Sequence, residues 1–234
     1  MKQRFTLNNR MSDIIDEDVI FLSTISRFGI SFGFGNKKIS EACDANGVDK
    51  NTFLAVVNFL AEIDDIEVID IQSLSVETVI QYLTNGHNYF LSYKLPSIRQ
   101  KLIQVIESNV LNRTYQQAFI HFFDDYVAEV RRHMDYEDSV VFPYVTRLLA
   151  GVKDNKYSIT RFYEQHTEID SKLKELKDIL IKHYPSSNSD YLLSDVVLEI
   201  LFCEKELAIH TRLEDYFFVP VVFRIEQAFP VNDN

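Results

Sequence analysis

From Asp190 onward the chain repeats apolar residues at alternating steps of four and three: Val196, Ile200, Cys203 and Leu207, then Phe217 and Val221. That is the spacing of one buried helical face. His210 and Glu214 occupy the same face, where two apolar residues would be expected. An earlier segment repeats the arrangement with Phe119, Phe123, Tyr126, Val130, His133, Glu137, Val140, Tyr144 and Leu148. Two further faces each carry one histidine. One runs Val76, Ile80, Leu83, His87, Phe90 and Lys94, with Lys94 as its weak member; the other runs Ile159, Phe162, His166, Ile169, Leu173, Leu176 and Leu180.

These faces predict four long helices, over Val76–Ser108, Thr114–Ala150, Ser158–His183 and Asp190–Glu226. The separators hold Asn112, Gly151 to Asn155 and Pro185 to Asn188, all natural loop chemistry. Short links between long helices imply an all-α, up-down-up-down four-helix bundle spanning residues 75–230. Pro96 and Pro143 fall inside two of the helices and predict a kink or local irregularity in each. Residues 1–70 read as a small N-terminal helical domain. Its helices are expected over Ile14–Phe28, Ile39–Asn46 and Asn51–Ile63, with Ser40 and Asp49 as N-caps.

A chain-length ruler asks whether the polar intruders meet. From a turn near residue 111, His87 lies 24 residues back and His133 lies 22 on. From a turn near residue 187, His166 lies 21 back and His210 lies 23 on. At about 1.5 Å per residue these mismatches are about 3 Å. The middle turn, near residue 153, fits less well, and a longer loop or Pro143 is expected to absorb the difference.

Six buried polar groups at one level need a common partner, because an unpaired buried carboxylate costs several kcal/mol or takes up a proton. His87, His133, Glu137, His166, His210 and Glu214 therefore read as ligands of two metal ions. Four imidazoles and two carboxylates suit binuclear iron, with manganese as the alternative. Structural zinc is satisfied by four ligands and favours thiolates. Each metal would take two histidines, with Glu137 and Glu214 bridging, which leaves positions for an oxo or hydroxo bridge and a small diatomic molecule. His121 and His183 fit no shared level and read as surface residues. Asp170 and Glu129, each one turn from a ligand histidine, are candidates for supporting roles.

Composition narrows the function further. A net charge of −11 argues against nucleic-acid binding. The stretch Ile39 to Leu60 has a helix–turn–helix look, but the first 70 residues carry 7 basic and 12 acidic side chains, so a packing module is the better reading. The N-terminus has no apolar core of a signal peptide and no apolar run could span a bilayer, so a cytoplasmic protein without a membrane partner is expected. Cys43 and Cys203 are too few for a disulfide framework or a cysteine-ligated cluster.

A lone His followed by His-x-x-x-Glu, then the same again, resembles the hemerythrin-like cation-binding fold. More narrowly, the pattern is similar to the di-iron Repair of Iron Centers family of iron–sulfur cluster repair proteins. Phe28-Gly29-Ile30-Ser31-Phe32 and Lys37-Lys38-Ile39-Ser40-Glu41-Ala42-Cys43 resemble the short N-terminal domain of that family. The resemblance implies iron ligation by the same six residues. It also implies a role in repairing damaged iron–sulfur proteins or handling nitric oxide under nitrosative or oxidative stress, including activity as a di-iron nitric oxide reductase. A reversible NO or O2 sensor and an iron storage or delivery protein are the alternatives. In that family two adjacent cysteines follow the Phe-Gly-Ile-x-Phe segment; here Gly33-Phe34 stands in their place.

Overall fold

The computed structural model describes residues 5–61, 70–107, 113–152, 156–165, 170–184 and 190–229. Among these the chain is helical, and Arg10 and Lys38 form a single isolated β-bridge. The protein is all-α, with several long helices. The elements are α1 Met11–Glu17, α2 Ile20–Arg27, α3 Ile39–Asn46, α4 Lys50–Ala61, α5 Val76–Tyr89, α6 Leu95–Glu107, α7 Arg113–Tyr136, α8 Phe142–Leu149, α9 Ile159–Gln165, α10 Asp170–His183, α11 Asp190–Leu213 and α12 Val219–Gln227. Three π-helical turns, Phe90–Lys94, Glu137–Val141 and Glu214–Phe218, join α5 to α6, α7 to α8 and α11 to α12 without a break.

Several expectations shift by small amounts, each for a local reason. Ile14 to Phe28 is two helices, because Asp18 is extended and its carboxylate accepts the Ile20 amide at 2.9 Å, starting α2 afresh. Asp49 caps α4, accepting from the Thr52 amide at 2.7 Å. Ser40 is not a cap: α3 begins one residue earlier, and Glu41 accepts the Lys38 amide at 2.8 Å. Gly47 ends α3 in the left-handed region, φ 65°, where glycine carries no Cβ penalty. Of the expected third bundle helix, Ile159–Gln165 and Asp170–His183 are helical, and residues 166–169 lie outside the described residues. The apolar face of α7 slips at the π-turn: Val140 is 37% exposed and Val141 is fully buried in its place.

The chain divides into two compact units. The first comprises residues 1–86, 142–165 and 212–234. Its N-terminal helices bury Met11, Ile14, Phe21, Ile25, Phe53 and Val57. Phe28 packs on Phe53 and Tyr82 at 4.9 and 4.8 Å between ring centroids, and Phe59 packs edge-on to Phe217 at 5.2 Å. Buried Glu226 accepts from the Tyr144 hydroxyl and, at 2.7 Å, from the Ile159 amide, so one carboxylate ties α8, α9 and α12 together.

The second unit comprises residues 87–141 and 166–211. Phe90, Leu102, Phe123, Tyr126, Leu173, Leu176, Val196, Ile200 and Leu207 belong to one core cluster. Burying each such side chain contributes about 1.5–3 kcal/mol. Polar pairs mark the register between helices. Tyr89 meets Glu206, Lys94 meets Glu199 and Lys101 meets Asp195, so one number rises as the other falls and the segments are antiparallel. Arg99 clasps Asp124 through two hydrogen bonds of 2.7 and 2.9 Å, and Lys177 meets Glu204. The Lys94 ammonium is buried against Glu199 and sits 5.4 Å from the Phe202 ring centroid, which accounts for a lysine on an apolar face.

Candidate metal centre

His133 and Glu137 lie one turn apart at the end of α7, so both side chains leave the same face. The Glu137 carboxylate is fully buried and its two oxygens face different imidazoles. Oε1 is 2.9 Å from His133 Nε2, and Oε2 is 3.0 Å from His87 Nε2. His87 Nε2 also lies 3.1 Å from His210 Nε2. Phe90 stands edge-on to the His210 ring at 5.9 Å and closes that side with apolar surface. Glu214 follows His210 by one turn of the same unbroken helix. One ligand atom from each of His87, Glu137, His210 and Glu214 lies within 4.8 Å of the other three, and all four residues are buried.

Two imidazoles and two carboxylates converging in a buried position form a donor set for a cation, and a borderline N/O set suits iron or manganese. Asp138 adds the support that ligand histidines usually need: its Oδ1 lies 2.9 Å from His87 Nδ1. With a cation bound, that contact would keep the proton on Nδ1 and leave Nε2, which faces Glu137 and His210, free to ligate. Burial opposes a charge on His87, but hydrogen bonds to Asp138 and Glu137, and the charges of both, outweigh it and push its pKa up to about 9. In the metal-free protein, then, a proton holds this imidazole between two carboxylates.

Of the six ligands expected from sequence, five lie among the described residues. His87, Glu137, His210 and Glu214 converge, and His133 reaches the group through Glu137. His166 lies outside the described residues, as does the side chain of Asp170. His121 and His183 are exposed. Sequence reasoning missed Asp138 and also Glu206, a fully buried carboxylate one turn before His210 that accepts from the Tyr89 hydroxyl at 3.0 Å. The signal for Asp138 was present: Glu-Asp follows the histidine at both Glu137-Asp138 and Glu214-Asp215.

Residues 94–222, just over half of the chain, match the family described as the hemerythrin HHE cation binding domain. The chain belongs to that family. The matched span contains His133, Glu137, His166, His210 and Glu214, while His87 lies just upstream of it. A search of curated proteins found no match. The hemerythrin HHE assignment and the converging His/Glu group agree on a metal-binding protein with a site suited to iron. Among the described residues, no helix is long and apolar enough to cross a membrane.

Proposed function

We propose that this hemerythrin HHE protein holds two iron ions through His87, His133, Glu137, His166, His210 and Glu214, and uses them in iron–sulfur cluster repair or nitric-oxide handling. The observation that carries this reading is the buried carboxylate of Glu137, facing a different imidazole with each oxygen. That is the disposition of a group shared by two cations. Iron would supply a reducible centre with open positions for NO or O2. The chain's own part is to orient and to exclude water. Asp138 holds His87 in one tautomer, and Phe90 seals one side of His210. Damaged iron–sulfur proteins are the proposed partners and the cytoplasm the proposed location, with residues 1–70 as a small helical domain ahead of the bundle.

A second reading, reversible NO or O2 sensing or iron delivery without turnover, draws on the thiols. Where the resembling family has adjacent cysteines, Gly33 adopts φ +88°, a conformation that side chains rarely tolerate. Cys43 is no substitute: it is buried in α3, and burial together with the nearby Asp44 pushes its pKa up to about 12. The resembling family's dithiol therefore has no counterpart at this segment.

Anaerobic exposure of the iron-loaded, reduced protein to NO separates the readings. Production of N2O sustained by a reductant supports nitric-oxide handling. Saturable binding without N2O supports sensing. Iron transfer to an apo iron–sulfur protein without NO consumption supports delivery. Absence of all three refutes the proposal.

A further inference from the structure

The two ligand helices share more than His-x-x-x-Glu. Glu129, His133, Glu137, Asp138 and Pro143 recur at the same spacing as Glu206, His210, Glu214, Asp215 and Pro220. In both copies a π-turn begins on the ligand glutamate and ends two residues before the proline. The π-turn Phe90–Lys94, just after His87, likewise ends two residues before Pro96. Every proline inside a described helix is thus preceded by a π-turn at the same distance.

The chemistry of proline explains the spacing. A proline at position i has no N–H for the carbonyl of i−4, and its ring collides with that carbonyl. The carbonyls concerned belong to Ser92, Ser139 and Tyr216, the central residue of each five-residue π-turn. Widening the turn by one residue moves that carbonyl off the ring without breaking the helix. The amide just before the proline closes the wide ring: Leu95 donates to the Phe90 carbonyl and Val219 to the Glu214 carbonyl. The extra residue also turns the downstream helix by about 100° relative to an uninterrupted one. Adjacent pairs are therefore buried at its end and beyond it, namely Phe217 with Phe218 and Val221 with Val222.

The geometry points to Pro143 and Pro220 as positioning residues for the metal site: each forces the π-turn whose first residue is a ligand carboxylate, and so sets the backbone on which Glu137 and Glu214 stand. The inference rests on the metal-site reading. π-turns are rare and gather at functional sites; here a residue six positions from each ligand supplies the cause.

The test uses the full chain with Pro143→Ala, Pro220→Ala and, as a comparison, Pro96→Ala, whose π-turn carries no ligand carboxylate. Co2+ serves as the probe, with affinity read by chelator competition and coordination read from its visible spectrum. Hydrogen exchange at the backbone amide that each substitution introduces reports whether the turn has closed to α. The first two variants are expected to stay folded by circular dichroism and to protect the new amide. They should lose about 10–100-fold in Co2+ affinity, the range for residues that orient ligands, with an altered spectrum and a smaller effect in Pro96→Ala. Wild-type affinity and spectrum in both ligand-turn variants overturn the inference, since packing alone would then hold the turns. Unfolding of both overturns it too, by making the prolines determinants of the fold instead of the site. A wild-type chain that binds no Co2+ sinks the metal-site reading itself, a result distinct from either.

Discussion

Replacing Asp138 by alanine removes the carboxylate that meets His87 Nδ1 while leaving the converging Nε2, Glu137, His210 and Glu214 in place. A hydrogen bond with a charged partner contributes about 1.5–3 kcal/mol. The Asp138 side chain is 39% exposed, so solvent screening puts its share at the low end of that range. At about 1.4 kcal/mol per factor of ten, metal affinity should fall about tenfold. Asp138→Asn keeps an acceptor but not the charge, which roughly halves the bond, so a loss of about threefold is expected. Anaerobic Fe2+ titration against a competing chelator measures all three proteins. Alanine and wild type with equal affinities would refute the orienting role, and asparagine weaker than alanine would refute the charge argument.

Three other perturbations have definite expected outcomes. The folded pKa of His87, about 9, lies above its ordinary 6.5, so its contribution to the stability of the metal-free protein is complete below pH 6.5 and is lost as pH rises through about 9. Urea denaturation of metal-free protein at about pH 6 and about pH 9.5 should show the decline, and a chain more stable at the higher pH would contradict it. Cys43 and Cys203 are both buried, so a thiol-specific reagent should modify neither in the native protein at about pH 7.5 and both after unfolding; stoichiometric labelling of native protein would refute this. Ile200→Ala, at a fully buried position of the second unit, should cost about 2–5 kcal/mol in a urea titration, and a change below about 0.5 kcal/mol would show that the site is not packed as described.

The long helices were legible because apolar faces at steps of three and four leave little alternative, and the ligands were legible as polar interruptions of those faces. A fixed helical period cannot take in an extra residue, so the face drawn through Val140 was wrong by one position once Glu137–Val141 formed a π-turn. Pro143 announces an irregularity but not its form, and the strongly apolar helix around Pro220 masks the same signal there. Lys94 weakened its face only on paper, because Glu199 and the Phe202 ring that accommodate it are more than 100 residues away in sequence. Asp138 was hidden for a similar reason: it stands beside Glu137 in the chain, but its partner His87 belongs to another helix. The break at Asp18 came from a side chain capping its own backbone, which hydrophobic spacing does not register.

Metal content per chain after iron-replete, oxygen-free purification decides whether one repeated ligand set holds a pair of metal ions. About two irons are expected per wild-type chain, and loss of both in His210→Ala/Glu214→Ala. Two irons retained in that double variant, or a wild-type chain that binds only zinc or no metal, would contradict it.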